Sequence, residues 1–356
     1  MRLQQQDRTV DVAVIGGGIA GASCAYHLAR EGLGTVLVER ETELGTHSTS
    51  RSAATLVPGY GGQENDELTE NGRLFLTSTA EGLAEHPLLT PRELLWVYSC
   101  EPEGTSRDLP GAVPIDRETA LAMCPVLRPE AIDAVAWQTG VYDIDVDGLL
   151  RALVRGATHH GTGVLLASEA VSLRRQKGHW LVEGGVEIKA RVVINAAGAW
   201  ADELAERSGL APVGFRALKR TAFVSPVSVD NQDLAMVVAA DSSFYFKPDV
   251  GGLMLCSPAD ETPIAPGDPR PEEIDVAYAI DRINAHTTLQ IRSVRRAWAG
   301  LRVFTADRRP VIRPHQADPS FIWCAGLGGT GVQTAPGAGQ RVAEIVQGLF
   351  SSEGRV

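Results

Sequence analysis

A glycine-rich segment near the start of the chain has the residue types and spacing of a phosphate-binding turn. Gly16, Gly18 and Gly21 form the pattern G-x-G-x-x-G after an apolar run, and Glu39 ends the next such run. The first glycine allows a tight turn, the second lets backbone approach a pyrophosphate, and the third lets a helix pack closely on a strand. The helix N-terminus stabilises phosphate charge, and the carboxylate of Glu39 can accept hydrogen bonds from a ribose. The segment therefore predicts a dinucleotide site; the alternative is a turn that only packs.

Two further turns of small residues follow strand-like runs. Ala197 and Gly198 follow one run, and residues 328–331 precede an amphipathic segment near the C-terminus. Small residues permit close backbone approach to a ligand, and a helix N-terminus can face an electron-rich ring. Residues 39–54, which are rich in hydroxyls and include Arg40 and Arg51, could hold a second part of an extended cofactor or could form only a solvated loop. Strand, turn and helix at the start, middle and end of the chain predict one discontinuous nucleotide-binding domain.

Composition bounds the class of protein. A chain of 356 residues suggests two domains, and 33 Lys plus Arg against 44 Asp plus Glu give a net charge of −11. That charge argues against nucleic acid as a partner, since phosphate binding needs clustered positive charge. The 5 cysteines are scattered without metal-ligand spacing, so we expect no metal and no disulfide scaffold. No run is long enough to cross a bilayer, so we expect a cytoplasmic protein, not an integral membrane protein.

The segments between the glycine turns are rich in strand-like runs and predict a second domain that covers the cofactor. We assign 1–86, 146–214 and 300–356 to the nucleotide-binding domain, and 87–145 and 215–299 to the substrate-binding domain. The predicted fold class is α/β. It combines a Rossmann-like domain, doubly wound with three-layer ββα elements, and an interleaved α+β domain built on a mostly antiparallel sheet.

Short motifs spread over nearly the whole chain resemble one known family. They are VIGGGIAGAS, HSTSRSAA, EHPLLTPR, VINAAGAW, KRTAF, SFYFKPD, WAGLR and GGTGVQT. The chain resembles the D-amino acid oxidase, glycine oxidase and sarcosine oxidase group of FAD-dependent amine oxidoreductases, and within it the bacterial D-arginine dehydrogenase type. The resemblance implies FAD as cofactor. Sarcosine oxidases anchor FAD through a cysteine where this chain reads LRVFTADRRP, which has none, so the resemblance implies a noncovalent FAD.

The resemblance also implies which residues contact FAD. Glu39 and Arg40 match adenosine-binding positions, and Val171 matches a backbone contact to the adenine. The other matching positions are Gly16, Gly18, Ile19, Ala20 and Gly21 at the first turn; Ser48, Thr49, Ser52, Ala53 and Ala54 running past the pyrophosphate towards the flavin; Ala197 and Gly198; and Gly300, Gly329, Gly331, Val332 and Gln333 around the isoalloxazine ring.

The substrate residues carry over from the same motifs. Arg220 and Arg302 match two arginines on the substrate carboxylate, where a planar guanidinium can donate two parallel hydrogen bonds. Tyr245 matches a tyrosine that donates to that carboxylate, and Tyr60 matches one on a loop that closes over the site. The implied reaction passes hydride from Cα to flavin N5 and gives an imine, which hydrolyses to a 2-oxo acid and ammonia or amine. The protein orients the substrate and excludes water.

Four positions of the substrate pocket depart from the family patterns. Thr55, Leu94 and Thr330 stand where the D-arginine dehydrogenase type has a histidine, a glutamate and a tyrosine. A buried leucine cannot balance a guanidinium, so we expect a substrate that keeps the carboxylate without requiring a cationic side chain. Met254 stands where sarcosine oxidases place a lysine that activates oxygen, which favours a dehydrogenase using a quinone or another acceptor over an oxidase using O2.

Other functions remain open beside a D-amino-acid dehydrogenase-like enzyme. The main alternative is an FAD-dependent oxidase or dehydrogenase acting on a secondary amine or N-substituted amino acid in a specialised biosynthetic pathway. An FAD monooxygenase would typically carry G-D-A late in the chain, where this one reads WAGLRVFTADRRP. A flavoprotein without turnover is a further alternative, and the acidic charge disfavours an RNA-modifying one.

Overall fold

The computed structural model describes residues 8–79, 82–99, 111–185 and 187–353. Within them the α-helices are α1 (Ile19–Arg30), α2 (Gln63–Leu74), α3 (Arg117–Met123), α4 (Val146–His159), α5 (Ala201–Arg207), α6 (Glu273–His286) and α7 (Gly331–Glu353). The strands are β1 (Arg8–Ile15), β2 (Thr35–Val38), β3 (Thr55–Leu56), β4 (Leu89–Pro91), β5 (Leu94–Tyr98), β6 (Ala112–Ile115), β7 (Ala134–Gln138), β8 (Tyr142–Ile144), β9 (Gly163–Leu165), β10 (Ala170–Gln176), β11 (His179–Gly184), β12 (Ile188–Asn195), β13 (Arg216–Pro226), β14 (Met236–Ala239), β15 (Tyr245–Asp249), β16 (Leu253–Ser257), β17 (Thr262–Pro263), β18 (Arg296–Phe304), β19 (Val311–Pro314) and β20 (Phe321–Ala325).

The first sheet has a parallel centre with the order β20, β12, β1, β2 and β9. Its strands are apolar on both faces, as expected for parallel strands covered on both sides. Helices α1, α4 and α7 cover one face. Strands β10 and β11, which extend β12 as an antiparallel meander, cover the other face together with α5. The three-layer ββα prediction is confirmed, with strands forming much of the third layer.

The second sheet is antiparallel except where β14 pairs with β5, so the prediction of a mostly antiparallel sheet is confirmed. Side chains alternate between its faces. Phe246 of β15 packs into a core with α3 and α6, while Tyr245 and Lys247 lie on the opposite face. The predicted boundary between 299 and 300 falls inside β18, which pairs along its whole length with β13. The crossing from this sheet back to the first therefore comes after residue 304.

A small sheet of β3, β8 and β4 lies beside the second sheet and carries a buried ionic network. The Asp143 carboxylate accepts hydrogen bonds from Lys247 Nζ at 2.6 Å and from Arg92 Nε at 2.8 Å. Lys247 Nζ also lies 3.2 Å from Thr55 Oγ1. Burial lowers the pKa of the Lys247 amine below its ordinary value, although the charge of Asp143 opposes the shift. Asp143 thus balances two cations that have little access to water.

Replacing Asp143 with alanine should destabilise the protein by about 3 to 5 kcal/mol, because the change leaves buried cations without their counter-charge. Urea unfolding followed by circular dichroism measures the effect. Asp147→Ala is the matched control, since Asp147 pairs with Arg151 at 2.7 Å while both side chains are 71% exposed. Loss of that exposed pair should cost about 0.5 kcal/mol or less. Equal effects of the two changes would contradict a buried network.

Three general features bear on the sequence predictions. Among the described helices, none has the length and apolar character needed to span a bilayer. No group of three or more histidine, cysteine, aspartate or glutamate side chains in the described residues is arranged to hold a metal ion. Four cysteines in the described residues are buried free thiols, and Cys100 lies outside those residues.

Candidate active site

Two cavities meet between the two large sheets. The first has a volume of about 260 Å³ and is lined by the first glycine turn, Glu39 and Arg40. The second has a volume of about 760 Å³ and is lined by residues 51–55, the last glycine turn and the predicted substrate arginines. Both contain Ile19, Ser48, Thr49, Leu301, Leu327 and Gly328 in their walls. The shared wall makes one elongated space, which suits an extended dinucleotide with a substrate at its far end.

The first glycine turn has the geometry that its sequence predicts. Gly16 has a φ of +109°, which favours glycine, and Gly18 caps the N-terminus of α1. Thr49 Oγ1 accepts a hydrogen bond at 3.0 Å from the Ile19 N–H. The other N–H groups of this first turn have no partner within the helix and are suited to phosphate oxygens. Gly21 does not line the cavity; a Cβ there would overlap the carbonyl oxygen of Gly16, so its role is close packing of the helix.

The far end of the first cavity has groups suited to an adenosine. The Glu39 carboxylate accepts hydrogen bonds from the Gly17 N–H at 2.6 Å and the Glu41 N–H at 2.8 Å, which hold it at the cavity wall. The Arg40 guanidinium carbon lies 3.8 Å from the centre of the Trp200 ring. Val171 also contributes to the wall. A fixed carboxylate for ribose hydroxyls beside a flat cationic surface suits this half of a dinucleotide.

The last glycine turn forms one wall of the second cavity. A Cβ on Gly329 would overlap the Arg302 guanidinium, so only glycine leaves room for that side chain. Helix α7 begins at Gly331, and its positive N-terminal end adjoins the cavity. Ala54 faces the same space with a φ of +56°. The backbone approaches this space from two sides and a helix N-terminus adjoins it, which suits a flat, electron-rich ring. The two cavities together fit FAD.

Two predicted residues of that turn use their polar groups to hold neighbouring loops. Thr330 Oγ1 donates to the Leu327 carbonyl at 2.8 Å. The Gln333 amide donates to Thr69 Oγ1 at 2.8 Å and accepts from the Val57 N–H at 3.0 Å. Both residues lie in the cavity wall, where these bonds fix the backbone around the ring site.

The predicted substrate arginines lie on the paired strands β13 and β18. Arg302 Nη2 donates to the Tyr60 hydroxyl at 3.0 Å, and Arg220 Nε donates to the Asp260 carbonyl at 2.8 Å. Burial alone would raise the pKa of the Tyr60 phenol, but the charges of Arg302 and Arg220 outweigh it and hold that pKa below its ordinary value. Tyr245 lies in the same cavity wall, and its hydroxyl makes no hydrogen bond to a described residue. The four residues thus form a cluster of donors facing one space.

Thr55 and Leu94 also line the second cavity, with Leu94 fully buried. The prediction that Met254 lies in the pocket is wrong. Met254 is fully buried in the core on the α3 and α6 side of the second sheet, because residues alternate along β16. Its neighbour Leu255 packs on the cavity side with Leu94 and Tyr245.

A carboxylate, Glu261, joins a third arginine, Arg308, to the predicted pair Arg220 and Arg302, and neither residue was predicted from the sequence. The three arginines are called the arginine clamp below. Glu261 Oε1 lies 2.7 Å from Arg302 Nη1 and 2.8 Å from Arg308 Nη2. Burial alone would raise the pKa of the Glu261 carboxyl, but the hydrogen bond from Arg308 and the charges of Arg302, Arg308 and Arg220 hold it below its ordinary value. Neither residue belongs to a motif with informative spacing; only the run Arg308 and Arg309 after a strand end hinted at a charged site.

Comparison with known proteins identifies relatives along nearly the whole chain. A family model described as DAO, FAD dependent oxidoreductase, matches residues 11–345. Glycine oxidase of Geobacillus kaustophilus (strain HTA426) is 26% identical over 365 residues, which cover 95% of this chain and 93% of that protein. Glycerol-3-phosphate dehydrogenase 2 of Mycobacterium tuberculosis (strain ATCC 25618 / H37Rv) is 28% identical over 333 residues, covering 83% of this chain. The chain spans 55% of the length of that dehydrogenase.

Solved structures show the same fold. The crystal structure of glycine oxidase from Geobacillus kaustophilus matches with a TM-score of 0.83 at 22% identity, covering 96% of this chain and 95% of that one. L-alpha-glycerophosphate oxidase from Mycoplasma pneumoniae with FAD bound matches with a TM-score of 0.84 at 19% identity, with the same coverage of 96% and 95%. These two neighbours have different substrates in their names, so the fold alone does not choose between an amine and an alcohol.

Proposed function

We propose a function for this chain from its family, since it belongs to the DAO family of FAD-dependent oxidoreductases. The proposed reaction is oxidation of the C–N bond of an amino acid or related amine that carries a carboxylate. The cofactor is FAD, which when bound supplies a ring that accepts hydride. The observation that carries the proposal is the convergence of Arg220, Arg302, Tyr60 and Tyr245 on one cavity beside the last glycine turn. We also propose that FAD is noncovalent, since no cysteine lies among the described residues of the second cavity.

The chain's own residues have a positioning role in this reaction. Arg302 and Arg220 hold the carboxylate, so that the substrate's α-carbon lies on the side of the cavity bounded by Gly329 and Ala54. Buried Leu94 and Trp96 exclude water from one wall. The described residues that line the second cavity include no histidine or lysine. Their one carboxylate, Glu261, is engaged by arginines. The substrate's amine therefore meets no histidine, lysine or free carboxylate among those residues that could take its proton.

Two features of the pocket refine the substrate class. Leu94 presents an apolar wall, and Glu261 is already paired with arginines. The described lining of the second cavity therefore has no carboxylate free to bind a guanidinium or ammonium side chain. We therefore propose an uncharged side chain or a secondary amine in place of a D-arginine-like substrate. Because the Met254 side chain lies in the core, it is not evidence on whether the reduced flavin reacts with O2. The proposal of a dehydrogenase now depends on the absence of a lysine from the described wall.

A second candidate is an alcohol carrying a phosphate. Three arginines around one carboxylate leave an excess of two positive charges, which suits a dianionic phosphate as well as a carboxylate. The relatives named glycerol-3-phosphate dehydrogenase agree with it.

Anaerobic mixing tests both candidates. The purified protein is mixed with D- and L-amino acids, N-methylglycine, proline or glycerol 3-phosphate while the flavin absorbance is followed. Bleaching by a carboxylated amine supports the proposal, and bleaching by glycerol 3-phosphate alone replaces it with the second candidate. No bleaching by any compound would contradict both and favour a flavoprotein without turnover. Reoxidation by air and by a quinone then identifies the acceptor.

A further inference from the structure

The chain places a carboxylate of its own on the arginine clamp. Glu261 lies in the loop before β17, and its Oε1 atom contacts Arg302 Nη1 at 2.7 Å, Arg308 Nη2 at 2.8 Å and Arg220 Nη2 at 3.4 Å. A substrate carboxylate on this clamp would seek the same N–H groups. Two carboxylates that share a few donors repel each other, so the two compete.

The three arginines do not bind Glu261 equally. Arg308 makes a bidentate contact, because its Nη1 also lies 3.0 Å from Glu261 Oε2. Arg302 and Arg220 each contribute one nitrogen to Glu261. A second nitrogen of each donates elsewhere, Arg302 Nη2 to the Tyr60 hydroxyl and Arg220 Nε to the Asp260 carbonyl. The planar pairing with Arg308 can therefore survive when the two single contacts break.

The exposure of the three arginines supports two positions for Glu261. The Arg308 side chain is 51% exposed, whereas those of Arg220 and Arg302 are 16% and 11% exposed. Arg308 thus lies at the mouth of the cavity and the other two lie deeper. A small rotation of the Glu261 side chain towards Arg308 would uncover the deeper pair without moving the strands β13 and β18 that carry it.

We propose that Glu261 is an internal competitor for the substrate's carboxylate, and that Arg308 holds it aside when substrate binds to Arg302 and Arg220. The inference rests on the proposed function, since it takes those two arginines as the carboxylate site. Glu261 and Arg308 are then specificity-determining residues. Glu261 weakens the binding of every monoanion, and Arg308 limits that effect. Together they favour ligands whose anionic group binds the deeper arginines tightly enough to displace Glu261.

A double-mutant cycle tests the inference. The probe is benzoate, titrated into the FAD-loaded protein while the flavin spectrum is followed, and benzamide is the neutral control. Glu261→Gln should tighten benzoate binding about tenfold and leave benzamide unchanged. Arg308→Met should weaken benzoate binding about tenfold, because Glu261 then stays on the deeper arginines. In the Glu261→Gln background the Arg308 change should alter binding less than about twofold.

Arg309→Met is the matched control, since Arg309 is the exposed neighbour of Arg308 and pairs with Glu64 instead of Glu261. Weaker benzoate binding in Glu261→Gln would overturn the inference, because Glu261 would then position the arginines. Equal effects of Arg308→Met with and without Glu261 would also overturn it. Glu261→Ala serves as a second variant with the same expected sign if the amide form does not fold. Unchanged benzoate binding in Arg302→Met would instead remove the carboxylate site of the proposed function.

Discussion

Arg302→Met should lower the rate constant for flavin reduction at low substrate concentration by about a hundredfold to a thousandfold. Arg302 is nearly buried, and its guanidinium lies between Gly329, Tyr60 and Glu261. In the proposed complex Arg302 pairs with the substrate's carboxylate. Removing one partner of such a buried, hydrogen-bonded charge pair costs about 2 to 5 kcal/mol of binding free energy, and each 1.4 kcal/mol is a factor of ten. Methionine keeps much of the volume, so the cavity stays filled. Stopped-flow measurement of flavin bleaching with the best amine substrate gives the rate.

Two control variants accompany Arg302→Met. One keeps a positive charge at position 302, and the other removes a positive charge from an exposed position nearby. Arg302→Lys should recover only part of the activity, because an ammonium cannot donate in the fork geometry of a guanidinium. Arg309→Met should leave the rate within about twofold, since Arg309 is largely exposed and lines neither cavity. FAD content measured after gel filtration must be the same in all three proteins. A variant that retains FAD and the full rate would show that the substrate binds elsewhere.

Local motifs in the sequence bring most of the predicted cofactor residues to the two cavities. The turn with Gly16 and Gly18 predicts its own geometry, because a positive φ and a helix N-terminus are local consequences of glycine spacing. The predicted cofactor residues other than Gly21 line the two cavities, even though they come from widely separated parts of the chain. Parallel strands bring their carboxyl ends to one edge of a sheet, so separate strand-and-turn units converge without any further signal.

Contacts between distant loops could not be predicted in the same way. Glu261 and Arg308 are far apart in the chain and belong to no motif, so only the pairing of β13 with β17 and β18 brings them together. Met254 was placed on the wrong face because strand periodicity is two and a matched position carries no information about register. Lys247 was overlooked because a lysine in a strand is usually exposed, whereas Asp143 permits its burial here.

Gly21→Ala should destabilise the protein and release FAD, although the same change stabilises most helices. Gly21 lies in the first turn of α1, where the backbone of Gly16 leaves no room for a Cβ. The helix must therefore move away from the strand that carries the phosphate turn. Overpacking of this kind costs about 1 to 3 kcal/mol in stability, and a displaced helix N-terminus loses its aligned N–H groups. We expect FAD affinity to fall about a hundredfold, which fluorescence titration of the apoprotein measures.

Gly348→Ala separates this effect from helix propensity. Gly348 is also inside a helix, α7, and a Cβ there meets nothing within 4 Å. Alanine should stabilise this position by about 1 kcal/mol and leave FAD affinity unchanged. The two glycine changes therefore have opposite expected signs in thermal unfolding, and only one affects the cofactor. If Gly21→Ala bound FAD with unchanged affinity, α1 could move without disturbing the phosphate turn, and close packing at Gly21 would not be what positions the helix N-terminus.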